Sequence, residues 1–185
     1  MRRITRAAVD QRGLVEQAGR GDHDAFAVLA RAASAQLDAV ARLILRDRDL
    51  AQDAVQETLI RAWRDLPGLR DPERFPAWLH RLTINSCLDV ARRRRRTAEV
   101  QLVGLDRPDR IEMAGDVADR DELERGFRRL RVEQRAILVL HYYFGLSVPE
   151  IAQALALPLG TAQSRLHRSL SAMRAALDGP TPGVA

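Results

Sequence analysis

The sequence predicts an all-α fold of two small helical domains joined by an acidic, flexible linker. Through most of the 185 residues, apolar side chains recur at spacings of three and four, which is typical of helices with one buried face. Aromatic residues make up only 4% of the chain, so the cores are expected to be aliphatic, which suits small helical domains better than sheets. Residues 98–120 lack this period, lean acidic and contain Gly104, Pro108 and Gly115, which indicates a linker.

The first domain is predicted to span residues 21–97. An N-terminal extension at residues 1–20 precedes it and is expected to contain a short helix around residues 13–19. Asp22 stands where a capping residue would begin the first helix of the domain. The predicted helices cover approximately residues 22–46, 49–66 and 76–96, and the last of them ends in five arginines.

The second domain is predicted to span residues 121–178, and a Pro- and Gly-rich tail at residues 179–185 is expected to be disordered. Its helices are predicted near residues 123–130 and 133–144, followed by a helix-turn-helix hairpin at residues 147–168. Ser147 and Glu150 have the spacing of a capping box at the start of that hairpin. Pro158 and Gly160 mark its turn.

The second helix of the hairpin has an apolar stripe on one side and a polar, arginine-bearing face on the other. Gln can pair bidentately with adenine, and Arg with guanine or phosphate, so one interpretation is a helix that enters the DNA major groove. The other interpretation is an ordinary amphipathic hairpin with a solvated polar face. The polar residues are Thr161, Gln163, Ser164, Arg165, His167 and Arg168.

Charge and cysteine content narrow the class of protein. The net charge is +5 and every basic residue is Arg, whose planar guanidinium recognises phosphate bidentately. The single cysteine, Cys87, excludes an internal disulfide and is expected to be a small buried side chain. With no apolar signal segment and no run of 18 apolar residues, we expect a soluble, cytoplasmic protein without membrane insertion.

Asp53, Gln56 and Glu57 share one face of the second predicted helix. Three interpretations stay open: a docking face for an Arg-bearing partner, a carboxylate metal or acid–base site, and a solvated face. The metal interpretation lacks the Glu-x-x-His motif of helical di-metal sites. No nucleotide-binding or hydrolase motif occurs either; this absence does not exclude an enzyme, but nothing in the sequence supports one, and we expect no cofactor.

Two features near the third predicted helix could contact nucleic acid. The arginines at positions 92–96 stand at the end of a helix, where the helix dipole stabilises positive charge. Because five arginines in a row more often bind phosphate, we interpret them as a non-specific DNA contact as well. Phe75 borders the charged loop, and stacking on an unpaired base stays open for it. Trp63 and Trp78 have core spacing and are expected to be structural.

Three segments together resemble the extracytoplasmic-function (group IV) sigma factors of bacterial RNA polymerase. Residues 50–63, LAQDAVQETLIRAW, resemble region 2.2 of that family. Residues 75–94, FPAWLHRLTINSCLDVARRR, resemble regions 2.3 and 2.4. Residues 133–152, EQRAILVLHYYFGLSVPEIA, with residues 160–168, GTAQSRLHR, resemble region 4. Their order and the acidic linker between them make the resemblance specific, and it covers about residues 21–177.

The resemblance implies a promoter-specificity subunit with two DNA-reading regions. It implies binding to core RNA polymerase, at the β′ clamp helices and the β flap, and an anti-sigma factor as a further partner. Asp53, Gln56 and Glu57 match the face that docks on the clamp helices. The positions that match contacts to the −10 element are Leu69, Arg70, Asp71, Arg74, Asn85, Asp89, Arg92, Arg93 and Arg94. Those that match contacts to the −35 element are Arg135, Thr161, Gln163, Ser164, Arg165, His167 and Arg168.

Some positions depart from the family's pattern. Gln163 stands where Lys is usual, so one −35 contact is expected to differ. Ala156 stands where Gly is usual in the turn, and Val132 where Pro is usual. Two rival functions remain: a free-standing helix-turn-helix regulator that binds an operator without polymerase, and an enzyme built on Asp53 and Glu57.

Overall fold

The computed structural model describes the backbone of residues 3–101 and 117–178, and side chains within residues 11–97 and 123–178. All regular structure in these ranges is helical, which confirms the predicted fold class. No helix in the described ranges is both long and apolar enough to cross a membrane. The α-helices are α1 Arg3–Gly19, α2 His23–Leu45, α3 Arg48–Asp65, α4 Phe75–Gln101, α5 Val117–Arg129, α6 Val132–Leu138, α7 Val148–Ala154 and α8 Leu159–Asp178.

Three helix ends differ from the expectation. Helix α1 has 17 residues rather than the short piece expected around residues 13–19, and Val15 and Ala18 in its C-terminal half are buried in the core. Helix α4 continues to Gln101 and α5 begins at Val117, so both ends of the predicted linker are helical. The rest of that linker, residues 102–116, and the predicted tail lie outside the described residues.

The chain divides into two compact units. The first consists of residues 1–41 and 49–90, and the second of residues 42–48 and 91–185. The core of the first unit is mostly aliphatic, with one buried aromatic ring, Phe75. It is built from Val15, Ala18, Ala25, Leu29, Leu37, Ala62, Leu66, Phe75 and Leu79.

Asp22 begins α2 as the capping prediction requires. Its carboxylate oxygen Oδ1 accepts hydrogen bonds from the backbone N–H groups of Asp24 at 2.9 Å and Ala25 at 3.1 Å. These donors have no partner inside the helix, so the carboxylate both satisfies them and complements the positive end of the helix dipole.

Two threonines that the apolar pattern missed are completely buried in the first unit. The hydroxyl of Thr58 donates to the carbonyl of Ala54 at 2.7 Å, and that of Thr83 donates to the carbonyl of Leu79 at 2.9 Å. Each hydroxyl is thereby satisfied by its own helix, so a polar residue can occupy the buried face. The buried faces of α3 and α4 are therefore wider than their apolar residues alone indicate.

Helix α8 is the centre of the second unit, and α5, α6 and α7 pack against it. Gly126 of α5 permits a close approach, because a Cβ atom there would lie 2.8 Å from Cε of Met173 in α8. The predicted helix at residues 133–144 consists of α6 and a wider π-helical segment, Val139–Tyr143, that ends in a bond from Phe144 N–H to Val139 C=O. Buried residues include Ile137, Leu140, Ile151, Ala162, Leu166 and Met173.

The turn between α7 and α8 has a left-handed residue, Ala156, with φ of 51°. Around it, Leu157 N–H donates to Ala152 C=O at 2.8 Å and Ala156 N–H donates to Gln153 C=O at 3.3 Å. This pair of bonds is the Schellman motif, which ends a helix by satisfying its last carbonyls and normally uses Gly at the left-handed position. The motif sets the direction in which the chain enters α8.

Candidate polymerase-binding and promoter-binding surfaces

The acidic and amide residues of α3 lie on the side of the helix away from the core. Asp53 and Gln56 are exposed and Glu57 is half-buried, whereas Ala54 and Thr58 on the opposite side are completely buried. Ile60, one turn beyond Glu57, is 59% exposed and places an apolar side chain beside this polar set. The structure thus presents the predicted docking residues together on one accessible face.

Arg61 connects that face to α4. Its Nη2 atom donates to Oε1 of Glu57, and it also lies 2.9 Å from Oδ2 of Asp89. Glu57 belongs to the predicted docking set and Asp89 to the predicted −10 set. Sequence reasoning missed Arg61, although the spacing of four from Glu57 is that of a helical ion pair. Arg61 thus gives the Glu57 carboxylate an ion-pair partner within its own helix.

The loop before α4 holds its polar residues at the surface. Arg70, Asp71 and Arg74 are exposed, and Leu69 is half-buried. Asp71 begins a short 3₁₀ turn, Pro72–Arg74, where its Oδ1 accepts from Glu73 N–H at 3.1 Å and its Oδ2 lies 3.3 Å from Nε of Arg74. The loop is therefore shaped by its own side chains.

The aromatic residues near this loop are structural. Phe75 is only 3% exposed and packs in the core of the first unit, so it is not available to stack on an unpaired base. The ring of Trp78 is half-buried, with its centroid 5.9 Å from that of Phe75. Trp63 lies against His23 and Phe26, with ring centroids 4.3 and 5.1 Å away. Of the two roles considered for Phe75, the structure therefore supports a core residue and not base stacking.

Helix α4 carries the remaining predicted −10 residues in two groups. Asn85 and Asp89 are half-buried in the first unit. Arg92, Arg93 and Arg94 are exposed in the second unit, where Arg94 forms an ion pair with Asp47. The polar residues thus change from half-buried to exposed along the same helix.

The recognition helix α8 exposes most of the predicted −35 residues. Thr161 is half-buried, and the exposed residues are Gln163, Ser164, Arg165, His167 and Arg168. Two of them are oriented by the helix itself: Ser164 Oγ donates to Thr161 C=O at 3.1 Å, and Arg168 Nε donates to Ser164 C=O at 3.2 Å. Because the apolar stripe of α8 is buried on its other side, this polar face is held outward.

A cleft of the second unit collects four arginines. Arg165 and Arg168 line it together with Arg95 and Arg131, and Glu133 also contributes to its wall. Arg95 makes two bonds to the Glu133 carboxylate, at 3.0 and 3.3 Å. Burial alone would raise the pKa of Glu133, but a backbone hydrogen bond and Arg95 outweigh it and hold that pKa below its ordinary value. The net positive lining suits phosphate.

Arg135 is the one predicted −35 residue that the structure places in the interior. It is only 6% exposed, and its guanidinium donates to the carbonyls of Ile44 at 2.5 Å, Leu130 at 2.7 Å and Phe127 at 3.2 Å. Burial lowers the pKa of Arg135 to about 10. In this conformation Arg135 is enclosed by backbone carbonyls, and the −35 contact predicted for it is not available.

Comparison with known proteins identifies both regions. The Sigma-70 region 2 model matches residues 29–97, and the Sigma-70, region 4 model matches residues 120–173. The ECF RNA polymerase sigma factor SigM of Mycobacterium tuberculosis is 33% identical over 168 residues, which cover 89% of this chain and 83% of that protein. The RNA polymerase sigma-H factor of Pseudomonas aeruginosa is 32% identical over 183 residues, covering 89% of this chain and 92% of that protein.

Solved structures agree with this assignment. CnrH in complex with the cytosolic domain of CnrY is 29% identical, with a TM-score of 0.60, and the match covers 93% of this chain and 99% of that one. RpoE of Bartonella quintana in complex with the anti-sigma factor NepR is 23% identical, with a TM-score of 0.66 over 79% of this chain and 92% of that one, which shows the shared fold.

A region 2 bundle followed by a region 4 helix-turn-helix defines the promoter-specificity subunits of bacterial RNA polymerase. The chain belongs to the extracytoplasmic-function (ECF) RNA polymerase sigma factors. It is therefore a transcription initiation factor, and the partners of its family are core RNA polymerase and promoter DNA. The free-standing regulator is not favoured, because a helix-turn-helix protein that binds an operator without polymerase does not account for the match of residues 29–97 to region 2.

Proposed function

We propose that this sigma factor docks on core polymerase through Asp53, Gln56 and Glu57 of α3 and reads promoters through α4 and α8. The observation that carries the proposal is that the docking positions of α3 and the −35 reading positions of α8 lie on the solvent-facing sides of helices whose opposite faces are buried. Such faces keep a fixed geometry, since the core holds the helix while the polar side chains stay accessible.

The docking face suits a basic partner. Two carboxylates and an amide within two turns can accept hydrogen bonds from arginines, and charge complementarity raises the rate of encounter. The exposed Ile60 adds apolar area that a partner helix could cover. We assign this face to the β′ clamp helices of the polymerase and expect region 4 to contact the β flap.

Promoter opening is assigned to the loop at residues 69–74 and to α4. Extruding a base from the stack costs a few kcal/mol, so a pocket on the sigma factor must offset that cost. Exposed arginines at the loop and at residues 92–94 can bind the phosphates on either side of an extruded base. We infer that the chain supplies binding and positioning here and is itself not a catalyst.

The −35 element is assigned to the exposed face of α8. Gln163, where the family usually has Lys, has the donor and acceptor pair that matches adenine, and Arg165 and Arg168 can bind guanine or phosphate. In Arg165→Ala, we expect a loss of about 1–3 kcal/mol in discrimination at one base pair if Arg165 reads a base. A uniform loss across sequences, with a smaller salt dependence, would assign it to phosphate instead.

An anti-sigma factor is proposed as a further partner, because CnrH, which resembles this chain along nearly its whole length, was solved in complex with CnrY. Such a partner would cover the surfaces that polymerase and DNA need. Competition between it and core polymerase for the purified chain is the direct measurement.

The proposed function is tested by reconstitution. Core polymerase is titrated with the chain, and the holoenzyme is used to select promoters from random DNA and then in run-off transcription. Charge reversal at Asp53 and Glu57 is expected to abolish core binding while DNA binding by region 4 persists. Retained core affinity in that variant would contradict the docking assignment. Specific, tight DNA binding by the chain alone would favour a free-standing regulator.

A further inference from the structure

Arg61 occupies a position between the two functional faces of the first unit. A single guanidinium nitrogen, Nη2, donates to the carboxylate of Glu57, which lies four residues earlier on α3. The same nitrogen lies 2.9 Å from the carboxylate oxygen Oδ2 of Asp89 on α4. The two carboxylates are 32 residues apart in sequence but share one cation. The three side chains therefore form a network that spans α3 and α4.

The network is shielded enough to orient its members. The side chains of Arg61, Glu57 and Asp89 are 25%, 23% and 33% exposed. Exposed ion pairs add little because water screens them and both side chains lose freedom on pairing. Here that freedom is already reduced by packing, and one cation serves two anions. A planar guanidinium further restricts the directions from which each carboxylate can approach.

We propose that Arg61 is a positioning residue that orients Glu57 for polymerase docking and Asp89 for the −10 element, and thereby couples the two. The inference rests on the proposed function of those two residues. Without Arg61, Glu57 would reach the partner from a wider set of rotamers, which costs entropy on binding. Asp89 would also present a less compensated negative charge beside DNA phosphates.

The test uses the full chain with Arg61→Met, which removes the charge and keeps an unbranched stem. Arg128→Met is the matched control, since Arg128 likewise pairs with a glutamate four residues earlier, Glu124, at 3.2 Å, but on α5. Two quantities are measured: the dissociation constant for core polymerase, and the rate of −10 opening by the holoenzyme from the fluorescence of a base analogue. The melting temperature of each free variant reports folding.

We expect Arg61→Met to weaken core binding about fivefold and to slow opening at saturating polymerase by a similar factor. Arg128→Met is expected to leave both unchanged. Arg61→Lys, which keeps the charge but loses the planar fork, is expected to recover part of each loss. A role in stability alone predicts instead that both losses vanish once binding is measured well below the melting temperature.

Double-mutant cycles separate the two couplings. Arg61→Met and Glu57→Gln are expected to be non-additive in core affinity, and Arg61→Met and Asp89→Asn non-additive in opening rate. If Glu57→Gln weakens core binding while Arg61→Met does not, the inference about Arg61 is wrong and the docking proposal stands. If Glu57→Gln has no effect on core affinity, the docking assignment itself fails. Additive effects in both cycles would also overturn the coupling.

Discussion

Ala156 offers a stability prediction that depends only on backbone geometry. Its φ of 51° lies in the left-handed region, and it occupies the Schellman position that ends α7. The side chain is exposed, so replacing it with Gly removes no core contact. In Ala156→Gly the strain of placing a Cβ in this conformation is relieved, and the second unit should become more stable.

The magnitude follows from two opposing terms. The left-handed conformation costs a residue with a Cβ about 1–2 kcal/mol. Glycine loses more backbone freedom on folding, which costs roughly 0.5–1 kcal/mol. The net gain therefore ranges from about zero to 1.5 kcal/mol, and its central value of about 0.8 kcal/mol corresponds, for a unit of this size, to a rise in melting temperature of roughly 3–6 °C.

The matched control is Ala175→Gly, an exposed alanine in the regular helix α8. The same substitution there relieves no strain and should destabilise by about 0.5–1 kcal/mol. Thermal unfolding followed by circular dichroism, with amide hydrogen exchange in α7 and α8, measures both. If Ala156→Gly lowers stability, or if both variants shift in the same direction, the argument from the left-handed turn is refuted.

Three further predictions concern single side chains. Arg135→Met should lower the free energy of unfolding, measured by urea denaturation, by about 2 kcal/mol, because backbone carbonyls such as that of Ile44 lose their hydrogen-bond donor. Arg131→Met, at an exposed position, should have little effect in the same measurement. Burial raises the pKa of Cys87 to about 12, so alkylation at pH 8 should require unfolding; labelling of the native chain would contradict this. Hydrogen bonds from the hydroxyl and the backbone N–H of Ser147 lower the pKa of Glu150. The stability that the Glu150 carboxylate contributes should therefore be present above the pKa of Glu150 in the unfolded chain, and be lost as the pH falls through its lower pKa in the folded chain. An acid unfolding titration that is unchanged in E150Q would argue against this.

The fold was largely predictable because local signals and tertiary packing agree. Asp22 caps α2 as its spacing requires, and the stripe of α8 is buried at Ala162, Leu166 and Met173. Helix α1 was underestimated because its apolar pattern is weak, and its buried residues Val15 and Ala18 pack in a core with residues far along the chain. Thr58 and Thr83 were missed because their hydroxyls are satisfied inside their own helices.

By itself, the sequence determined the helical class, the order of the two regions and the faces of α3 and α8 that reach the surface. Period and composition carry that information, since a helix with one apolar stripe must bury it. Only the tertiary structure decided the surroundings of individual polar groups. It brought Arg135 to the carbonyl of Ile44, placed Phe75 in the core, and joined Arg61 to Asp89. Such placements depend on which residues distant in sequence meet, and no local pattern encodes that meeting.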